Sequence, residues 1–226
     1  MNLVSSFTRD NIRPNLGNPA ILVFGEYDYQ NRNHGLVEFP VARLKHFLKK
    51  NGKEPSVYHV NYADEWNDEM DNLSRQTNQI RKQTMQNCIY FIAYSVGGLL
   101  ALKYASFQAS LDDIEIPFIC CVCTPFKSCR LTMLLDMKNK PWEKSRLYTL
   151  MQDVYILRMN YTKVFCITYS HNSLVPRNCA FKLHSVEHPI ENDKMTTHSL
   201  TVLKESTWSA IELVLKENMI LIFSPD

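Results

Sequence analysis

The sequence lacks an excess of charge of either sign. Its 226 residues include 25 Lys or Arg and 23 Asp or Glu, which gives a formal net charge of +2. The basic residues are scattered, with short clusters only at 43–45 and 49–50. Nucleic-acid-binding surfaces depend on cations gathered on one face of the protein. A nucleic-acid partner is therefore not expected.

Long apolar runs are also missing. No stretch approaches the ~18 to 20 apolar residues that cross a membrane as a helix. Residues 1–10, M-N-L-V-S-S-F-T-R-D, lack the apolar core of a secretory signal. We expect no transmembrane segment and a soluble, cytoplasmic protein. Export by a route without a signal and transient contact with a membrane surface stay open.

The cysteines give no sign of a disulfide framework. Their number, seven, is odd, and Cys120, Cys121 and Cys123 lie within one apolar run. Buried reduced thiols explain this distribution, which is typical of a reducing compartment. These three thiols also lack the exposed, electropositive setting of a cysteine nucleophile. We expect no cofactor and no metal site.

What the sequence does contain is a regular alternation of short apolar runs with helical apolar patterns. The runs predict strands at 20–24, 56–60, 88–93, 116–122, 164–168 and 180–186, with 219–223 as a further strand or helix end. The helical patterns lie at 37–50, 69–86 and 96–109, in a mixed region at 129–160, and in a last helix opened by His198. Alternation of this kind predicts an α/β fold, a mostly parallel sheet with helices on both faces. We expect one domain over 1–226, with residues 1–18 as an extended lead-in.

The stretch from Cys88 to Ala105 organises the chain. An apolar run leads into A-Y-S-V-G-G, and a helical pattern follows at once. A serine on so sharp a strand-to-helix turn needs small neighbours two positions away, because bulky ones would collide with the strand and the helix. Ser95 would project above the sheet edge. The Val96 N–H, at a helix N-terminus, would suit a developing oxyanion.

Three segments together resemble the α/β-hydrolases, in particular lipase- and esterase-like members. A-Y-S-V-G-G is similar to the family's G-x-S-x-G elbow, with Ala93 in place of the first glycine. T-P-F-K-S, residues 124–128, is similar to a T-P-x-x-G-S segment but lacks its glycine. T-T-H-S-L places His198 where the family has its histidine. The resemblance implies an α/β-hydrolase fold with a minimal lid or none.

The resemblance also implies roles for particular residues. Ser95 would be the nucleophile and His198 the general base. The strand ending in F-G-E-Y looks like the H-G-x segment that supplies the second oxyanion-hole N–H, here from Glu26 or Tyr27, beside that of Val96.

The position of the triad acid is where the sequence departs from the family. The usual D-x-x-V-P loop reads N-S-L-V-P, so Asn172 stands in place of the acid. Asn172 would orient His198 through its carbonyl oxygen, or another carboxylate would serve, or the triad is broken and the protein does not turn over substrate. The candidate carboxylates elsewhere are Asp136, Asp153, Glu187 and Asp193.

Each candidate also has an ordinary structural explanation. Ser95 would simply lie in a buried turn, His198 beside a helix N-cap, and Asn172 in a turn beside two serines. Among the other histidines, His184 and His188 would replace His198 as base if its assignment is wrong. His171 is more typical of a loop.

These observations predict a serine esterase or lipase that cleaves the carboxylic ester of a small molecule or a lipid. The loops at 27–39 and 125–150 would line the acyl site. The candidate lining residues are Tyr27, Tyr29, Phe126, Met133 and Leu134. The alternative is a binding or regulatory protein that keeps the fold without turnover. Hydrolysis versus acyl transfer, acyl chain length and oligomeric state stay open.

Overall fold

The fold centres on a parallel sheet seen in a computed structural model of the chain. The structure describes residues 20–23, 35–51, 56–59, 69–138, 148–154, 162–182, 185–191 and 194–218. Over these residues the strands are β1 (Ala20–Val23), β2 (Val57–His59), β3 (Tyr90–Tyr94), β4 (Phe118–Val122), β5 (Lys163–Tyr169) and β6 (Val186–Ile190).

The strands form one sheet in the order β2-β1-β3-β4-β5-β6, and every neighbouring pair is parallel. The chain first builds outward from β1 to β2 and then returns to the other side of β1 to add β3. In open α/β sheets, ligands bind beyond the carboxyl ends of the strands at such a reversal. The carboxyl end of β3 is therefore a favoured place for a site.

The two central strands are buried along their whole length. All five residues of β3 and all five of β4 are buried, as expected for continuous apolar runs covered on both faces. One face carries a core that includes Phe91 and Leu99, and the opposite face carries a core that includes Leu44 and Trp208. The predicted α/β architecture with helices on both faces is confirmed.

Helices supply both layers. They are α1 (Gly35–Lys50), α2 (Glu69–Thr84), α3 (Gly97–Lys103), α4 (Arg130–Lys138) and α5 (Glu205–Asn218). A π-helical turn at Tyr104–Gln108 continues α3, and further helical residues lie at 148–154 and 177–180. Side chains of α1 and α5 enter the core on one face, and those of α2 and α3 enter the other. None of the helices among the described residues combines the length and the hydropathy needed to cross a bilayer.

Two predicted boundaries near the C-terminus are wrong. The strand expected at 180–186 is instead β6 at Val186–Ile190, and residues 177–180 form a short helix. The edge strand V-E-H-P-I contains no continuous apolar run, so its hydropathy did not distinguish it from a loop. His198 opens a separate 3-10 helix, His198–Leu203, because the extended backbone of Lys204 interrupts the helical path before α5. The expected lead-in at 1–18 and tail at 219–223 lie outside the described residues.

Candidate active site

Ser95 stands at the carboxyl end of β3, on the turn into α3. Its φ angle is +56°, in the left-handed region that non-glycine residues rarely adopt. The Ser95 N–H donates to the Val122 carbonyl of β4 at 2.9 Å, and its own carbonyl accepts from the Gly98 N–H at 3.1 Å. These bonds hold a backbone conformation that costs about 1–3 kcal/mol. The strained elbow indicated by the small-residue pattern is present.

The small residue at position 98 has a direct steric cause. A Cβ at Gly98 would lie 2.0 Å from Thr124 Oγ1 and 2.9 Å from Thr124 Cβ. Thr124 is fully buried, so it cannot move aside into solvent. The T-P segment after β4 and the elbow after β3 are therefore packed against each other through a glycine.

His198 reaches Ser95 across the site. His198 Nε2 lies 2.9 Å from Ser95 Oγ, and both side chains are fully buried. The His198 backbone N–H donates to Ser173 Oγ at 3.1 Å, which ties the start of the 3-10 helix to the loop after β5. The structure thus brings together the two residues to which the sequence assigned nucleophile and base.

Burial controls the protonation of His198. Desolvation lowers the pKa of His198 from 6.5 to about 3, because the charged imidazolium loses its hydration. The ring is therefore neutral at neutral pH, as a general base must be. Within the described part of the chain, His198 Nδ1 has no hydrogen-bond partner. A triad acid would occupy that position.

Asn172 lies in the acid's loop, but its side chain is bonded elsewhere. Asn172 Oδ1 accepts from the Leu174 N–H at 3.0 Å and from the Val175 N–H at 2.9 Å. Asn172 Nδ2 donates to Cys123 Sγ at 3.5 Å. The amide thus closes its own turn, as asparagine often does. Orientation of His198 by the Asn172 carbonyl oxygen, one of the sequence-based alternatives, is not what this geometry shows.

Two of the alternative carboxylates already have partners. Asp153 Oδ2 lies 2.6 Å from Lys103 Nζ. Glu187 pairs with Arg177 at 2.9 Å and accepts from Thr168 Oγ1 at 2.7 Å. The Arg177 guanidinium is also the main reason why the pKa of Glu187 is lowered. The side chain of Asp136 and the whole of Asp193 lie outside the described residues.

Of the residues predicted to form the oxyanion hole, the structure describes Val96. Val96 is buried at the start of α3, where helix N–H groups have no intrahelical acceptor. Glu26, Tyr27 and Tyr29 lie outside the described residues, so the second oxyanion donor stays a prediction.

Of the three acyl-site candidates that the structure describes, Met133 is 58% exposed and Leu134 is half-buried. Phe126 is only 2% exposed and belongs to the core on the α3 face. The structure therefore does not place Phe126 on an accessible acyl-site surface. The reason is that the chain after Thr124 turns inward, where the Phe126 N–H donates to the Cys179 carbonyl at 2.8 Å.

Of the other candidate histidines, the structure describes His171 and His188. His171 is exposed in the loop after β5, and His188 is a half-buried residue of the edge strand β6. His184 is not among the described residues. The seven cysteines are all buried and none forms a disulfide. Burial raises the pKa of Cys120 and Cys121, which disfavours a thiolate.

Sequence reasoning missed three contributors to the site. Tyr94 stacks on the His198 ring, Ser173 binds the His198 backbone, and Cys123 accepts the Asn172 amide. Tyr94 and Ser173 are next to residues that the motifs picked out, so proximity in sequence was the available signal. Cys123 has a φ angle of +49° at the end of β4, and nothing in its apolar run indicated this.

Comparisons with known proteins add information on the fold. No protein-family model matches the chain, and no curated protein matches it. Solved structures do. An esterase from Pyrococcus furiosus is 18% identical with a TM-score of 0.55, over 90% of this chain and 82% of that one. The mature lipase BlEst2 of Bacillus licheniformis is 13% identical with a TM-score of 0.59, over 93% and 94%.

A monoacylglycerol lipase from Paleococcus ferrophilus is 11% identical with a TM-score of 0.54, over 89% of this chain and 96% of that one. Identities this low show a shared fold and leave activity to be argued from the site. The six parallel strands, the elbow after β3 and these likenesses agree. The chain has the α/β-hydrolase fold.

Proposed function

We propose that this protein is a serine hydrolase that cleaves carboxylic esters through an acyl-enzyme at Ser95. The observation that carries the proposal is the 2.9 Å contact between Ser95 Oγ and His198 Nε2. The contact joins residues 103 positions apart, on an elbow whose serine has a φ angle of +56°. Strained backbone of this kind is common at the nucleophile turn of active sites. In a turn that serves only packing, the same strain would lower stability without any benefit.

The chemistry proceeds in two halves. Ser95 Oγ attacks the ester carbonyl while His198 Nε2 takes the hydroxyl proton, which forms a tetrahedral oxyanion. Collapse of that intermediate breaks the bond to the alcohol, and His198 returns the proton to the leaving alkoxide. Water then attacks the acyl-enzyme with His198 again as base, and the acid is released from regenerated Ser95.

The oxyanion would be held by backbone N–H groups. Val96 is the N-cap residue of α3, where backbone N–H groups have no intrahelical acceptor and the helix dipole favours negative charge. A second donor from Glu26 or Tyr27 completes the proposed hole. Removal of one such donor from a hydrolase costs about 10²–10³ in turnover.

The proposed catalytic unit is a dyad of Ser95 and His198. A carboxylate at Nδ1 would stabilise the imidazolium that forms, and exchange of that Asp for Asn in a serine protease costs about 10⁴ in turnover. Here Asn172 is engaged with Leu174, Val175 and Cys123. We therefore expect a slower esterase than a complete triad would give.

For the substrate we propose a small-molecule or lipid ester. The similar solved structures are named as an esterase, a lipase and a monoacylglycerol lipase. Enzymes with these names cleave carboxylic esters. The exposed Met133 and half-buried Leu134 of α4 offer apolar surface for an acyl chain. We also propose a reducing, cytoplasmic location, because all seven cysteines are buried and none forms a disulfide.

A second candidate function is a binding or regulatory protein with the same fold. The observation that favours it is specific: His198 Nδ1 has no hydrogen-bond partner among the described residues, and Asn172 is committed to its own turn. In this alternative the buried Ser95 and His198 would be retained only for packing.

Labelling with a fluorophosphonate separates the two candidates. The probe should label the purified wild-type protein, and Ser95→Ala should abolish labelling. Ser110→Ala is the control, since Ser110 is an exposed serine on the helical segment Ala109–Leu111 that follows the π turn. Absence of labelling in a folded wild-type protein between pH 6 and 9 would favour the binding alternative. Nitrophenyl esters of increasing chain length would then define the substrate.

A further inference from the structure

The orientation of the His198 ring is the feature that the proposed dyad leaves unexplained. A triad acid normally fixes the imidazole from Nδ1. Here Nδ1 has no hydrogen-bond partner in the described part of the chain. A buried ring bonded only through Nε2 could still rotate or tilt away from Ser95. Among the described residues, the orientation of the ring must therefore come from contacts other than a bond at Nδ1.

Tyr94 contacts His198 on its flat face. The two ring centroids are 5.2 Å apart and the ring planes differ by 21°. Tyr94 is 3% exposed and His198 is fully buried, so solvent does not separate the rings. Stacking of this kind restricts rotation of the imidazole about its bond to Cβ, because any large turn would drive ring atoms into the phenol face.

The Tyr94 hydroxyl also anchors the backbone that carries His198. It donates to the His198 carbonyl oxygen, and Thr201 Oγ1 donates to the same oxygen at 2.7 Å. The two hydroxyls lie 2.9 Å apart. A carbonyl oxygen has two lone pairs, so it can accept both hydrogen bonds. Tyr94 therefore holds the ring and the main chain of the same residue.

The position of Tyr94 in the sequence couples both halves of the site. Tyr94 is the last residue of β3 and Ser95 follows directly. The nucleophile and the support of the base thus sit on one buried strand end. Any shift of β3 would move Ser95 Oγ and the Tyr94 ring together, which preserves the separation between Ser95 and His198.

We propose that Tyr94 is a positioning residue for His198, and that its ring face stabilises the imidazolium formed when His198 accepts the Ser95 proton. A cation within about 6 Å of an aromatic centroid is attracted by the ring quadrupole, more so when both are desolvated. The 5.2 Å separation meets that condition. The effect appears only when the ring is charged, so it lowers the barrier without tightening substrate binding.

The role of Tyr94 rests on the proposed function, and ring fluorination tests it. Tyr94→Phe first removes the hydroxyl and keeps the face. Mono-, di- and trifluorinated phenylalanine at position 94 then weaken the ring quadrupole with little change of shape. We expect kcat to fall about threefold in Tyr94→Phe and about tenfold further across the fluorinated series, with KM unchanged. A kcat independent of fluorine number would overturn the electrostatic role.

A matched control lies in the same strand. Tyr90 is fully buried and stacks on Phe118, with centroids 5.1 Å apart and a 22° angle between planes. Its environment therefore resembles that of Tyr94 without His198. Tyr90→Phe and the same fluorinated residues at position 90 should leave kcat unchanged. If both series lower kcat equally, the effect is general to the strand and the proposal fails.

A readout that needs no turnover keeps the two proposals separate. Stacking predicts nuclear Overhauser contacts between the ring protons of Tyr94 and His198, and an upfield ring-current shift of the His198 protons. Tyr94→Leu should remove that shift and Tyr90→Leu should keep it. Absence of the contacts in the wild-type protein overturns the positioning role even if Ser95 is labelled. If the contacts are present in a protein that the fluorophosphonate does not label, the positioning role of Tyr94 is supported and only the proposed esterase activity is contradicted.

Discussion

The elbow after β3 and the loop after β5 are built in opposite ways. At the elbow, Ser95 has a φ angle of +56° and directs its hydroxyl to His198 Nε2 at 2.9 Å. In the loop, Asn172 directs its amide to the Leu174 and Val175 N–H groups of its own turn. At the end of β3, a strained backbone conformation accompanies the contact between Ser95 and His198. The loop after β5 uses its polar side chain to satisfy the local backbone.

This difference separates a serine–histidine contact that is formed from a polar side chain in the loop after β5 that does not reach the histidine. In a complete triad, a carboxylate would bring negative charge to His198 Nδ1. The neutral amide instead behaves as an ordinary turn residue, and the base is left with burial as the cause of its lowered pKa. Among the described residues, the aromatic ring that stacks on His198 is that of Tyr94, which we propose as its positioning residue.

The largest effect should come from the elbow. Gly98→Ala would place a methyl group 2.0 Å from the buried Thr124 Oγ1. Overpacking of a dense site costs about 1–3 kcal/mol and forces backbone shifts, and we expect the upper end of that range together with at least tenfold slower probe labelling of Ser95. Urea denaturation and labelling rates measure the two effects.

The double variant Gly98→Ala, Thr124→Ala provides the control. Removal of Thr124 Oγ1 and Cγ2 takes away the closest contacts of the new methyl group. The double variant should recover part of the lost stability, as a non-additive pair in direct contact does. If Gly98→Ala is as stable and as reactive as the wild type, the elbow is looser than the geometry indicates.

The second effect concerns the pH dependence of stability, which reports on the protonation of His198. Burial lowers the pKa of His198 to about 3, whereas the unfolded histidine titrates near 6.5. Between these values the unfolded chain binds a proton that the folded chain does not. Above pH 6.5 the titration of His198 does not reduce the free energy of unfolding. As the pH is lowered from 6.5 towards the folded pKa of about 3, the free energy of unfolding falls by up to about 1.4 kcal/mol per pH unit.

His198→Gln is the control for this pH dependence, since it removes the titrating ring and keeps a buried polar side chain. Urea denaturation of both proteins at pH 7 and pH 5 should show a smaller loss in the variant. An equal loss would mean that His198 does not titrate with a lowered pKa. A carboxylate at Nδ1, for example from Asp193, would produce that result by raising the pKa.

The smallest effect on turnover should come from the acid's loop. Asn172→Ala leaves two backbone N–H groups without their acceptor, which costs about 1–2 kcal/mol of stability, while kcat changes less than about threefold. Asn172→Asp keeps an acceptor for those N–H groups and does not reach Nδ1. Its kcat should also stay within about threefold of wild type.

Stability and ester turnover of the two Asn172 variants can be measured side by side. A tenfold or greater rise of kcat in Asn172→Asp would show that the loop can restore a triad, and would contradict the separation between the elbow and the loop drawn above. A tenfold loss in Asn172→Ala without loss of stability would assign Asn172 to catalysis.

Local patterns were enough for the fold. The runs around β3 and β4 are continuous because both faces of these strands are covered, and this burial leaves its mark in the sequence itself. The edge strand β6 lacked that mark, since V-E-H-P-I is half exposed. The sequence also predicts one last helix from His198, whereas the extended backbone of Lys204 separates the 3-10 helix His198–Leu203 from α5.

The sequence by itself determined the α/β architecture, the turn at Ser95 and the presence of a histidine at position 198, since each depends on residues close together in the chain. Only the tertiary structure decided that His198 lies 2.9 Å from Ser95 Oγ, that Tyr94 supports it, and that Asn172 does not. The physical reason is competition. A short amide can bond to its own turn or to a distant ring, and packing across the whole molecule selects between them.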